Sequence, residues 1–257
     1  MALNKLELRY DGVYINQKKE FNPLGTFKEQ TIRKTLDFAY EMSFGDGGEH
    51  RNHRSGGTHV RKNGEIFANT FQGKLSEFAV YNQLYKDFVL EKPDLSTYGL
   101  GKWDDWDFVI NGMKASIKST KSFGNLLLLE TKDWNDSAEY IPNLEKGTAS
   151  YDIFILVRIE PYCEDLLKKI RALYSQTQSK RSLESLILSE KWKYDIPGFV
   201  TREEVKYAIS NKHIIQQGQM LNGKTRMDAD NYYIQSGDML PIKDIKKVLK
   251  QEGENGE

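Results

Sequence analysis

The chain reads as an α/β or α+β fold, a single domain built on a mixed central β-sheet flanked by helices. Three observations predict it. Ile32, Leu36, Ala39 and Tyr40 recur on one helical face. Residues 107–120 read as a strand, a tight Asn111-Gly112 turn and an antiparallel partner strand. Tyr151 to Ile159 (YDIFILVRI) is the most strand-like stretch, rich in β-branched and aromatic residues. With 257 residues, 39% hydrophobic and 29% charged, the chain has ample material for one core.

Taken in order, Asn22-Pro23-Leu24-Gly25 is a turn, and Thr31 caps a helix that reaches about Phe44. Gly45 to Gly48 stops that helix, and residues 46–64 form a long polar loop rich in Gly and Arg. A second helix spans Lys74 to Phe88, with Leu75, Phe78, Ala79, Tyr85 and Phe88 as its apolar stripe. Glu77 falls one position off that stripe, at the rim of the core. Asn125 to Thr131 favours a strand, although its length also allows a helix. Helices follow at about 163–176 and 181–191. Thr201-x-x-Glu204 is a capping box for a helix to about Asn211, and Pro241 opens a last one.

Composition excludes several classes. Cys163 is the one cysteine, so neither a disulfide framework nor a multi-thiolate zinc site is available, and a reducing compartment is expected. The opening MALNKLELRYDGVY has no apolar core behind a basic start, and the longest apolar run is Leu126 to Leu129. A soluble, cytoplasmic protein with no membrane partner is the expectation. Lys+Arg and Asp+Glu number 37 each, which argues against coating nucleic acid by bulk charge. Charge is uneven, however. Residues 49–62 are basic, residues 101–107 acidic, and Lys114, Lys118 and Lys121 stand without an acid between them.

That pattern suits a metal beside a phosphate. Alternation puts Ser116, Lys118 and Thr120 on one face of their strand and Ala115, Ile117 and Ser119 on the other. The hairpin brings Asp107 toward Lys118, with Glu77 available from the preceding helix. Mg²⁺ takes hard oxygen ligands, so one or two carboxylates, the Ile117 carbonyl and a phosphate oxygen would serve it. A lysine beside the ion can orient or deprotonate the attacking water. Each residue also has a plainer role: Asp107 as a turn cap, Lys118 as a solvated strand lysine, Glu77 as a first-turn helix acid, Glu130 as a partner of Lys132. His50, His53 and His59 sit in Gly- and Arg-rich surroundings that lack the ββα hairpin of an HNH nuclease, so that reading is rejected.

Glu77, Asp107 and Ser116-Ile117-Lys118, together with the longer segments at residues 64–84, 106–120, 124–134 and 214–235, resemble the PD-(D/E)xK nuclease superfamily, and within it a group of bacterial type II restriction endonucleases. The resemblance runs from about Gly64 to Met239 and rests on the long segments; the short motif occurs by chance in most proteins. It implies a restriction-endonuclease-like core and Mg²⁺-dependent hydrolysis of double-stranded DNA at a specific sequence. It also implies a homodimer in the bacterial cytoplasm, with a DNA methyltransferase encoded nearby. Asp107, Glu77 and the Ile117 carbonyl would hold metal while Lys118 positions water. Two departures stand out. Trp106 replaces the proline, and Ser116 occupies the place of the second acid, for which Glu77 and then Glu130 are the substitutes. Arg51, Arg54, Arg61 and Lys121 are expected on DNA. Gln216, Gln217, Gln219, Asn222, Lys224 and Arg226 can read base edges or take phosphate. Along the chain, residues 1–63 would carry the first helix and a DNA-facing loop, 64–160 the catalytic core and 161–250 the helical and recognition part. Ser116 in place of an acid equally suits a catalytically silent DNA-binding protein, and a repair or RNA nuclease of the same fold is a third reading.

Overall fold

A computed structural model describes residues 3–45, 61–96 and 108–248. Its elements in chain order are β1 (Glu7–Arg9), β2 (Gly12–Tyr14), β3 (Gly25–Thr26), α1 (Glu29–Ser43), α2 (Asn63–Leu84), β4 (Phe108–Ile110), β5 (Met113–Lys121), β6 (Leu126–Glu130) and β7 (Ile153–Glu160). Then follow α3 (Cys163–Lys169), α4 (Lys180–Leu188), β8 (Lys193–Thr201), α5 (Arg202–Ser210), β9 (Ile214–Ile215), β10 (Met220–Leu221), β11 (Thr225–Arg226) and β12 (Asn231–Gln235). Among the described residues no helix is long and apolar enough to cross a membrane.

The central sheet has the order β3-β8-β7-β5-β4. Only β5 and β7 are parallel; the other pairs are antiparallel, so the sheet is mixed, as expected. The predicted turn is present. Asn111 and Gly112 take φ of 48° and 88°, the two left-handed residues that a two-residue hairpin needs. Leu126–Glu130 is a strand, as favoured, but it leaves the central sheet and joins a second one, β6-β12-β9. Helices α1 to α4 gather on one face of the central sheet. There Ala115, Ile117, Ile153, Ile155 and Val157 pack against them through Leu36, Phe67, Phe71 and Leu75. On the other face Phe154, Leu156 and Val200 meet Leu127, Leu129, Ile234 and α5. The second sheet in turn covers a small core of Val13, Leu126, Ile215 and Tyr233, over which the ribbon β1-β2-β10-β11 lies.

Burial on both faces explains why YDIFILVRI shows no alternation: seven of the eight residues of β7 are buried. It also explains the boundaries that periodicity misplaces. Helix α2 begins at Asn63 rather than Lys74 because its early turns are buried all round, at Ile66, Phe67, Ala68, Phe71 and Gln72, and so show no stripe. Asn63 and Gly64 therefore leave the polar loop and join the helix, the Glu65 carboxylate accepting the Lys62 N–H at 2.8 Å. α1 starts at Glu29 with Lys28 as its cap, so Thr31 is already inside. α3 ends at Lys169 and Arg171 has φ 57°, which cuts short the helix expected to reach residue 176. The Thr201 capping box is present. β8 escapes sequence reading because Pro197 and Gly198 look like breakers; both sit at a register shift opposite Leu156 and Arg158.

Arg158 is 1% exposed on β7, and all of its donor nitrogens are used. Nε and Nη2 donate to the two Asp195 carboxylate oxygens at 2.8 and 2.6 Å. Nη1 donates to Lys19 O and Asn125 Oδ1, and Nη2 also to Glu20 O. The Asp195→Asn variant removes the charge partner of a buried guanidinium, and we expect a loss of about 3–5 kcal/mol in urea unfolding. A loss below about 1 kcal/mol would show that the pair does not hold the fold.

Candidate functional site

The register of β5 on β7 decides which side chains share a face. Ser116 lies beside Phe154 and Lys118 beside Leu156, on the face turned to the second sheet. Ala115 and Ile117 lie beside Ile153 and Ile155, on the face turned to the helices. Ser116 is 1% exposed, whereas Lys118 is partly exposed and makes no ion pair among the described residues. An ammonium on this strand of the central sheet, partly exposed and without an ion pair among the described residues, can meet an anion.

The two acids proposed to replace the missing carboxylate are placed elsewhere. Glu77 sits on α2, which packs on the helical face, opposite Lys118. Its Oε2 lies 2.9 Å from Lys74 Nζ, and both side chains are largely buried. Glu130 pairs with Asn231 at the end of β6. Alternation groups it with Leu126 and Leu128, toward the third core, while Leu127 and Leu129 point at the central sheet. Asp107 lies outside the described residues; its neighbour Phe108 pairs with Ala115, three residues short of Lys118. The described side chains alone therefore do not fit Mg²⁺. On the Lys118 face they offer the neutral, buried Ser116 hydroxyl, and Ile117 contributes only its carbonyl.

The expected DNA contacts divide in the same way. Arg51 and Arg54 lie outside the described residues, and Arg61 is partly buried just before α2. Lys121 Nζ is held by Asp165 at 3.0 and 3.2 Å and stands 4.8 Å from the Tyr162 ring centre. Residues 212–226 form short strands, with Asn222 and Gly223 (φ 51° and 65°) making the β10–β11 turn. Two of the amides serve the fold. Asn222 Oδ1 accepts the Ile15 N–H at 3.0 Å, and Gln217 donates Nε2 to Asp228 O at 3.0 Å. Gln219 Oε1 accepts the Gln216 N–H. Gln216, Lys224 and Arg226 are exposed.

Nothing in the sequence singles out His213, yet it is 1% exposed, its Nδ1 has no hydrogen-bond partner among the described residues, and Tyr207 and Tyr233 pack on its ring. Burial, helped by Lys5, holds its pKa below the usual value, against an opposing pull from Asp238. No protein-family model matches the chain, nor does any curated protein or solved structure.

The unfolded chain's histidine titrates near pH 6.5, above the folded value, so lowering the pH below about 6.5 favours the unfolded state. The contribution is full above that pH. We expect the urea midpoint to fall between about pH 7.5 and 5.5, and His213→Phe to flatten that fall; an unchanged slope would clear His213 of the effect. Asn222→Ala should lower stability by about 1–2 kcal/mol, losing both a hydrogen bond and a residue tolerant of left-handed φ. If it instead weakens DNA binding with no change in melting, Asn222 reads bases.

Proposed function

We propose that the chain is a Mg²⁺-dependent, sequence-specific endonuclease of double-stranded DNA, of the type II restriction class with a restriction-endonuclease-like core, acting as a homodimer. The observation that carries this reading is the placement of Lys118. It stands on β5 partly exposed and without an ion pair among the described residues, one residue from the Ile117 carbonyl, in a mixed sheet whose Asn-Gly hairpin begins directly after Asp107. A positive charge so placed offsets the charge that grows on a phosphate under attack and holds a water molecule for in-line displacement. Asp107 is the carboxylate we assign to the same site. Exposed Gln216, Lys224 and Arg226 on the β10–β11 side are the groups best able to meet DNA, Arg226 and Lys224 at phosphate or guanine and Gln216 at adenine.

A second reading is favoured by Ser116 and by the placement of Glu77 and Glu130 away from the Lys118 face. On that reading the chain binds a DNA sequence and does not cut it.

Unmethylated phage-length DNA with Mg²⁺ distinguishes the two. Discrete bands that vanish with chelator support the endonuclease, and a smear supports a non-specific or repair nuclease. Binding without cleavage, also with Mn²⁺, supports the silent binder. In the endonuclease, Lys118→Ala should reduce cleavage about a hundred- to a thousandfold, in keeping with removal of one transition-state interaction of this kind, while retaining cognate binding. Undiminished cutting would overturn the site.

A further inference from the structure

The first turn of α2 and the segment after α3 are locked backbone to backbone. Gly64 N donates to Ser175 O at 3.1 Å and Asn63 Nδ2 to Gln176 O at 2.9 Å. A Cβ at Gly64 would run into the carbonyl oxygens of Ala172 and Leu173, so only glycine permits this approach. The lock sets the start of α2, where Lys62 is the cap, against Ala172 and Leu173, which directly follow the Lys168-Lys169-Ile170-Arg171 run at the end of α3. Lys62, Lys169 and Arg171 are exposed and make no ion pair among the described residues. Tyr174 is 64% exposed beside them. Of the neighbouring acids, Asp165 is held by Lys121 and Glu164 pairs with Lys168 at 3.7 Å, while the Glu65 carboxylate sits on the Lys62 N–H. Lys62, Lys168, Lys169 and Arg171 set against Glu65 and Glu164 leave the described residues here with an excess of two positive charges in a chain of zero net charge.

We propose that Lys62, Lys169 and Arg171 form a surface that takes the phosphates of a DNA duplex, separate from the β10–β11 region. The inference rests on the proposed action on DNA. Flexible cations on a helix end suit the sugar-phosphate backbone rather than base edges. They would therefore set register and on-rate and carry no sequence preference.

The test is the triple variant Lys62→Gln, Lys169→Gln, Arg171→Gln in the full chain, titrated with a fluorescent duplex over a range of salt. A control variant carries Lys146→Gln, Lys206→Gln and Lys243→Gln. Removing three phosphate-binding cations should lower the slope of log K against log salt by about 2–3, equally for cognate and random duplexes. The control should change it by less than about one. An unchanged slope in the triple variant, with wild type still binding and cutting, overturns the patch alone. Equal losses in both variants also overturn it, since bulk charge would then suffice. Wild type that binds no duplex at any salt overturns both the patch and the proposed function. Wild type that binds without cutting, with the slope reduced only in the triple variant, upholds the patch while the endonuclease reading falls.

Discussion

Arg158 lies where four parts of the chain meet. Its guanidinium ties β7 to β8 through Asp195, to the segment at Lys19 and Glu20, and to Asn125 in the link between β5 and β6. Removing a guanidinium from water is costly, and the cost is recovered only because a paired carboxylate and three neutral oxygens replace the water. Lys19 extends the arrangement, donating Nζ to Pro197 O and Met239 O at 2.8 Å each. Burial and the adjacent Arg158 charge hold the Lys19 pKa below its usual range. The N-terminal segment, the central sheet and the second sheet are thereby tied at one polar point inside an apolar layer.

That tie has a consequence for the site. The second sheet covers the face of β5 that carries Ser116 and Lys118, while the helices cover the face of Ile117. Lys118 therefore shares its face with the second sheet, whereas α2 belongs to the layer on the other face. Glu77 is better understood as half of a largely buried pair that fixes Lys74 on α2.

Much of the fold is legible in the chain's local patterns. The Asn111-Gly112 turn declares itself because few residue pairs accept two positive φ values, and the Thr201–Glu204 box because its reciprocal bonds need those side chains. YDIFILVRI is legible as a strand, but the role of its Arg158 is not; an arginine inside so apolar a run should prompt a search for its carboxylate. β8, with Pro197 and Gly198, is illegible, since a bulge that accommodates both leaves no mark in periodicity. The site is less legible than the fold. Asn222 and Gln217 look like base readers in sequence, and only the ribbon's return onto Ile15 and Asp228 shows their amides at work inside the protein.

The sequence by itself determined the mixed α/β character, the β4–β5 hairpin and the alternation that separates Lys118 from Ile117, because these follow from local backbone preference and a two-residue period. The tertiary structure decided which layer each face meets, that Leu126–Glu130 belongs to a second sheet, and that Glu77 and Glu130 stand apart from Lys118. Those outcomes depend on contacts between residues far apart in the chain, and no local pattern encodes which distant surface will cover a given strand.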